Sequence, residues 1–414
     1  MTFSLADLTR AFARIGVLSF GGPAAQISLM HRELVDEKQW VTEKEYLSAL
    51  SFCMLLPGPE AMQLATWIGW RSHGWRGGLI AGGLFVLPGA VIVLALSMIY
   101  AGFGQIPLIA AMFTGVQAAV VAVVIEALLR VAKRALKTRT QRVIAVLAFV
   151  ALYAFALPFP VVILAAGLWG FARARGQTGK FPPAPQARTA QTLALWLALW
   201  LIPLAALWLF EGAILFHIGA YFAKLAVLTF GGAYAVLAWM AQTVVQDMGW
   251  LTLPQMMDGL GLAETTPGPL ILVTEFVGYM AGYGVGGWQL GLAAALITLW
   301  MTFVPSFMFI FVGAPYIARL TANPRLAGAL AAITAAVVGV IANLSLWFGV
   351  HVLFARQIAI GGPPLHLSLP DLTSLQPLAA LIALGAAYAL LIRHWQLPLV
   401  LVLAATAPTL WALI

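Results

Sequence analysis

Two cations stand in stretches that otherwise read as lipid-facing. Lys224 lies inside KLAVLTFGGAY, six residues before Phe230, and Arg14 lies six before Phe20 in ARIGVLSFGG. A charge at the centre of a membrane helix costs at least ~2.5 to 3.5 kcal/mol on insertion scales, so something must hold it there. Two related cations facing one cavity would hold an anion. The alternative is that each pairs with a carboxylate such as Glu264 or Glu60. The neighbouring glycines favour the anion. Phe20-Gly21-Gly22-Pro23 and Phe230-Gly231-Gly232 interrupt apolar runs, and Pro57-Gly58-Pro59 and Pro267-Gly268-Pro269 do so again. Gly and Pro break or loosen a helix. At membrane depth broken backbone is tolerated only where it is buried in protein or lines a polar cavity. The half-helix N-termini so created present N–H groups and a positive dipole end, which suit an oxyanion.

Polar side chains flank these breaks. Ser19, Thr229, Thr265 and Thr266 either donate to a tetrahedral oxyanion or satisfy carbonyls one turn back. Gln26 either donates to the same ion or bridges two helices as a buried amide. Three carboxylates in apolar surroundings, Glu60, Glu264 and Glu275, are candidates for carrying protons. Glu126 has Arg130 four residues on and predicts an ordinary helical ion pair. The segment HRELVDEKQWVTEKEY, with five acids and three bases, predicts a solvated helical loop. Cys53 is the single cysteine, which excludes an internal disulfide or a multi-cysteine metal site and predicts plain helix packing. No Walker-type lysine loop, HExxH or CxxC occurs, so neither ATP-driven pumping nor metal catalysis by those routes is supported, and no cofactor is implied.

The frame that must position these residues is apolar. Of the 414 residues 62% are hydrophobic and 9% charged, and the mean hydropathy is +0.97. A soluble core could not hide that surface. Long Ala, Val and Leu runs without strict alternation predict an all-α polytopic membrane protein, not a barrel. The net charge of +8 does not point to nucleic acid, because the basic residues gather between apolar segments. The first residues lack a short apolar core followed by a small-residue cleavage site, so the first segment is expected to stay in the mature protein. Candidate crossings are 8–30, 46–70, 77–103, 107–129, 142–157, 159–172, 190–210, 214–240, 255–281, 287–313, 325–352, 376–392 and 396–413.

The chain repeats itself. Phe20-Gly21-Gly22, Trp40 and Pro57-Gly58-Pro59 each recur 210 positions later, while Pro88 and Gln117–Val120 match Pro305 and Thr334–Val337 at an offset of 217. Residues 1–175 and 211–414 therefore read as two six-segment repeats, joined by a linker and one extra helix at 176–210. An even-numbered repeat followed by one more crossing inverts the second copy. With the N-terminus cytoplasmic, fifteen basic residues fall in inside loops and four in outside loops, which puts the C-terminus outside. The glycines in the first segment of each repeat leave open whether it spans or re-enters.

SFGGPAAQISLMHRELVDEKQW, MLLPGPEAMQLATWIGW, KLAVLTFGGAYAV and GLAETTPGPLILV resemble segments of the chromate ion transporter family, in its long form with two fused homologous domains, over nearly the whole chain. Many short members of that family carry a histidine near the position of Gln26, so a histidine relay is not expected here. The resemblance implies export of chromate across the bacterial cytoplasmic membrane, driven by the membrane potential or proton gradient, as a resistance device. On physical grounds the cations and helix breaks predict a midplane substrate site at Arg14, Lys224, both FGG turns and both PGP breaks, around which the inverted repeats would rock in alternating access, with membrane lipid around them. A sulfate or general oxyanion carrier fits the same residues, because sulfate shares chromate's shape and charge. A membrane-embedded oxyanion sensor or enzyme fits less well, since neither a soluble domain nor a catalytic cluster is visible. A homodimer is compatible with the sequence.

Overall fold

The computed structural model describes residues 3–104, 106–174, 188–210, 212–230, 233–321, 323–360, 365 and 367–411. Helix α1 (Leu5–Leu18) starts on a capping box in which Ser4 accepts from the Asp7 amide and Asp7 accepts from the Ser4 amide. It buries Leu8, Ala11, Phe12 and Ile15, three or four residues apart, on one face. α2 (Gly22–His31) runs into a π-turn at Arg32–Glu37, and α3 (Glu43–Cys53) repeats the capping box with Thr42 and Glu45. α4 (Glu60–Phe103), α5 (Pro107–Ala135), α6 (Arg139–Tyr153), α7 (Phe159–Arg173), α8 (Thr189–Leu209) and α9 (Ala213–Leu228) follow. α10 (Ala233–Gln242) runs into a π-turn at Thr243–Asp247, then α11 (Leu253–Thr265), α12 (Val273–Gly313), α13 (Ile317–Thr321) and α14 (Pro324–Leu353). Strands β1 (Gln357–Ile360) and β2 (Leu367–Pro370) precede α15 (Pro377–Ala387) and α16 (Leu397–Trp411).

Five helical stretches among the described residues are long and apolar enough to cross a membrane: Glu60–Phe103, Pro107–Ala135, Thr189–Leu209, Leu270–Thr321 and Pro324–Leu353. Large apolar side chains such as Leu147, Leu168, Ile202 and Trp208 stay exposed, as lipid-facing groups would. α4 and α12 are each two arms. Their helices bend back at His73–Gly74 and at Gly286–Gly287, where Gly74 (φ 60°) and Gly287 (φ 71°) take a backbone conformation that glycine permits. Beyond the bends the arms touch through backbone: a Cβ on Gly69 would lie 2.1 Å from the Gly77 carbonyl, and one on Gly282 would lie 2.6 Å from that of Leu290.

The expected crossings 8–30, 46–70, 214–240 and 255–281 are each interrupted, by the boundaries α1/α2, α3/α4, α9/α10 and α11/α12. The antiparallel pair β1–β2 was not anticipated in an all-α chain. It occupies the stretch between α14 and α15 that lacks a long apolar run, and Arg356 meets Asp371 across it at 3.3 Å. Local geometry recurs 210 positions apart. Lys38, Trp40 and Val41 donate backbone bonds to Glu33, Leu34 and Leu34, and Met248, Trp250 and Leu251 donate to Thr243, Val244 and Val244.

The chain forms two compact units, each drawing on sequence from early and late in the chain. The first comprises Met1–Ala101, Gly176–Val236 and Leu262–Leu326. In it α12 packs along α8 and α9. Two tryptophans tie α8 to α12: Trp200 donates to the Met301 carbonyl (3.2 Å) and Trp300 to that of Leu199 (2.9 Å). The second comprises Gly102–Arg175, Leu237–Gly261 and Ala327–Ile414. Here α5 packs against α15 and α16, and Gly115 lets the α16 backbone approach, since a Cβ there would lie 1.9 Å from the Ala404 carbonyl. Glu126 and Arg130 form the expected ion pair.

Candidate functional site

The breaks assemble inside the first unit, and they do so crosswise. α1 ends at Ser19, and Gly21 (φ 84°) and Gly22 (φ 74°) turn the chain into α2, with Pro23 in its first turn and no side-chain cap. The amide of Gly268, in the second PGP, donates to the Ser19 carbonyl at 2.9 Å. The amide of Gly58, in the first PGP, donates to the Thr229 carbonyl, just past the end of α9, at 2.8 Å. Each PGP is thus fastened to the end of the helix that leads into the other FGG. Gly58 (φ 115°) and Gly268 (φ 92°) both need glycine's freedom.

Buried amides finish these junctions. Gln26, 1% exposed, donates to the Gly268 carbonyl (2.6 Å) and to the Ser19 carbonyl (3.2 Å). It is the bridging amide that was one of its two expected roles. Gln63 donates to the Pro57 carbonyl at 2.6 Å. On the far side α4 comes so close that a Cβ on Gly89 would sit 2.2 Å from the Pro267 carbonyl. Ser306 of α12 stands against Gly58 in the same manner, 2.7 Å from where its Cβ would be. Sequence reasoning missed Gln63, Gly89 and Ser306. The register that matches Pro88 with Pro305 also sets Gly89 against Ser306, which was the available signal.

The four flanking hydroxyls have other partners. Ser19, Thr229, Thr265 and Thr266 donate to the carbonyls of Ile15, Leu225, Leu262 and Ala263, three or four residues back. Their hydrogens are committed to their own helices. Pro57 is half-buried, and Pro59, Pro267 and Pro269 are buried with their glycines. Phe20 and Gly21 are exposed, Gly22 and Pro23 partly so, which opens the start of α2 to the outside of the fold. Phe230 is half-buried, and Gly231 and Gly232 lie outside the described residues.

Arg14 and Lys224 are both exposed. Arg14 pairs with Glu33 at 3.5 Å in a cleft of about 460 Å³ that Arg10, Lys38 and Trp40 also line. Its partner is therefore neither Glu60 nor Glu264. Glu33 corrects the picture of a wholly solvated charged loop, because it is 2% exposed. The π-turn at Arg32–Glu37 turns that carboxylate inward. Glu264 accepts from the Tyr234 hydroxyl at 2.8 Å, Glu60 is half-buried, and Glu275 is fully buried. Cys53 is a free thiol in the core.

Helices long and apolar enough to cross a membrane, two of them bent at glycines, are those of a multi-pass membrane protein. The family described as "Chromate transporter" matches residues 6–171 and 216–409, and the chain belongs to it. It is 32% identical over 413 residues, 98% of this chain and 95% of the relative, to a probable chromate transport protein of Synechococcus elongatus. Chromate transport proteins of Pseudomonas aeruginosa (35% over 342 residues, 82% of this chain and 79% of the relative) and Cupriavidus metallidurans (31% over 342 residues, 82% and 81%) are also similar. The match over both parts of the chain is consistent with the long two-domain type. No solved structure matches the chain.

Proposed function

We propose that this chain is a secondary active transporter that exports chromate from the bacterial cytoplasm across the cytoplasmic membrane and so confers chromate resistance. The observation that carries the reading, beside family membership, is the crosswise pairing of Gly58 with Thr229 and Gly268 with Ser19. It couples the breaks, so that a shift at one FGG turn moves the PGP of the other half. That is the linkage alternating access requires.

The two repeats are inverted in this reading, with the N-terminus cytoplasmic and the C-terminus outside. The paired π-turns and paired helical bends support two copies. The substrate dianion binds at the start of α2, where amide N–H groups lack a side-chain cap, with the equivalent turn at Phe230–Gly232 and the cations Arg14 and Lys224. Arg14 exchanges Glu33 for the anion. At an effective dielectric near 20, a unit charge pair at ~4 Å is worth roughly 4 kcal/mol, so two cations offset much of a dianion's desolvation. Transport draws on a proton gradient or the membrane potential, for which Glu60, Glu264 and Glu275 are the acidic candidates.

Chromate flux into proteoliposomes, with wild type and Lys224→Met side by side under an imposed pH gradient or potential, tests the reading. Saturable uptake by the wild type and loss in the variant are expected. Equal uptake by both removes Lys224 from the site. Chromate uptake that falls as sulfate is raised to equal concentration would turn the assignment toward a general oxyanion carrier.

A further inference from the structure

Glu275 is 0% exposed, and neither carboxyl oxygen has a hydrogen-bond partner among the described residues. An ionised carboxylate in that state would forfeit its hydration for nothing. The opposite arm of α12 supplies two more polar atoms in the same condition. Thr298 is 0% exposed and Thr302 3%, and neither hydroxyl has a partner among the described residues. Elsewhere in this chain Thr66, Ser97, Thr274 and Thr334 donate to a carbonyl three or four residues back, which is the default for a hydroxyl in an apolar helix. Thr298 and Thr302 do not.

The register of the two arms puts these groups at neighbouring levels of one helix pair, none yet within hydrogen-bond distance of another. Gly278 faces Thr298, whose hydroxyl oxygen lies 2.2 Å from where a Cβ on Gly278 would be. Gly282, a turn further on, faces Ala294 and Leu290, so the arms run antiparallel. One turn back from Gly278 on its arm is Glu275, and one turn on from Thr298 is Thr302. The missing side chain at Gly278 leaves the Thr298 hydroxyl room to turn toward that level. The contrast with α4 is direct: Thr66 fills the same kind of gap over Gly82, yet donates to the Met62 carbonyl.

We propose that Glu275, Thr298 and Thr302 form the proton-carrying site of this transporter. The inference rests on the transport reading above and selects one of its three acidic candidates. When protonated, the carboxyl donates its O–H to one hydroxyl and accepts from the other. When the proton leaves, both hydroxyls turn their hydrogens to the carboxylate. A metal cation is a poor fit, because two hydroxyls and one carboxylate leave its coordination shell largely unfilled. The other titratable groups of the packed elements are few, and the tyrosines Tyr279 and Tyr283 of α12, Tyr221 of α9 and Tyr100 of α4, which stacks edge-on against Phe276, are neutral hydroxyls. Glu275 is the only charged residue of α12 and α8 has none, while α9 contributes His217 and Lys224, both exposed, and α4 contributes Glu60, Arg71, His73 and Arg76. No ion pair among the described residues reaches Glu275. Glu264 already has the Tyr234 hydroxyl.

Two measurements on the full-length protein test this. Infrared difference spectra across a pH jump, taken without chromate, should show a protonated-carboxyl stretch that vanishes in Glu275→Gln and shifts in Thr302→Val. In proteoliposomes clamped at zero potential, a gradient of one pH unit sustains roughly ten-fold chromate accumulation per coupled proton. Wild type should show that ratio and Glu275→Gln should fall to no accumulation. Persistence of the carboxyl band in Glu275→Gln, or wild-type accumulation by it, overturns the proposal. If the wild type moves no chromate, the transport reading fails while the infrared result still decides whether Glu275 titrates. Should Glu275→Gln not fold, the Thr298→Val/Thr302→Val double variant takes its place, with a shifted band and a reduced ratio expected, and unchanged values overturning the assignment.

Discussion

Replacing Gly89 with alanine tests the closest contact at the junction. The new Cβ would lie 2.2 Å from the Pro267 carbonyl oxygen and 2.6 Å from a Leu272 methyl. Ordinary contact begins near 3.4 Å, so the first atom is more than an ångström too close. Because that atom is backbone, no rotamer change relieves it. α4 or the PGP segment must move, and overpacking of this kind costs roughly 1 to 3 kcal/mol, occasionally more. Gly83 provides the control. It lies six residues earlier on the same helix, and a Cβ there would meet nothing within 4 Å. In helical backbone an alanine there should be neutral or gain about 0.5 to 1 kcal/mol. The two variants should therefore differ by about 1 to 4 kcal/mol. Thermal unfolding in detergent, followed by loss of the monodisperse peak, should put Gly89→Ala several degrees below the wild type and Gly83→Ala at or above it. The same proteins in proteoliposomes should show reduced chromate uptake for Gly89→Ala alone. Equal midpoints for the two variants would refute the close approach of α4 to the second PGP.

The hydroxyls give the opposite expectation. Because Ser19 and Thr229 donate only to carbonyls of their own helices, Ser19→Ala and Thr229→Val should each cost about 1 kcal/mol of stability or less. Their apparent chromate affinity should stay within about five-fold of wild type, and a loss of uptake in either would return that hydroxyl to the substrate site. His31 gives a pH signature outside the apolar helices. Its hydrogen bond to Glu43 at 2.5 Å, with further attraction from Glu43 and from Asp36 at 3.3 Å, raises its pKa above the usual 6.5 against the opposing effect of burial. Its stabilisation is then fully present below pH 6.5 and disappears as pH rises through the raised folded value. Unfolding midpoints measured across that window should fall in the wild type and stay flat in His31→Gln.

Much of this arrangement was readable from the chain because its causes are local. A glycine at positive φ or a proline breaks a helix wherever it occurs, so the interruptions at 20–23, 57–59 and 267–269 follow from residue type. The Glu126–Arg130 pair likewise depends only on spacing along one helix. What joins distant residues was not readable. Nothing in the sequence tells which break fastens to which helix end, because Gly58 and Gly268 each offer one amide and many carbonyls could accept it. Glu33 misled for a related reason: in a run of five acids and three bases it reads as solvated, and only the π-turn turns it inward beside Arg14.

The two halves share backbone geometry more fully than side chains, and that difference bears on how the site works. The bonds from Gly58 and Gly268 correspond across the 210-residue interval, as do the three bonds at each π-turn. The amides do not. The positions matching Gln26 and Gln63 are Val236 and Val273, and the position matching Gly89 is Ser306. Both junctions have a close helix approach, by Gly89 and by Ser306, but only the Ser19–Gly268 junction is spanned by an amide, whereas at Thr229–Gly58 the glutamine reaches only the Pro57 carbonyl. The backbone bonds, 2.9 and 2.8 Å long, supply similar energy in both places, so the Gln26 bridge makes the Ser19–Gly268 junction the stiffer one. In an alternating-access cycle the looser junction would yield first. Motion would then begin at the Thr229–Gly58 side, with the Gln26 bridge as its fixed point.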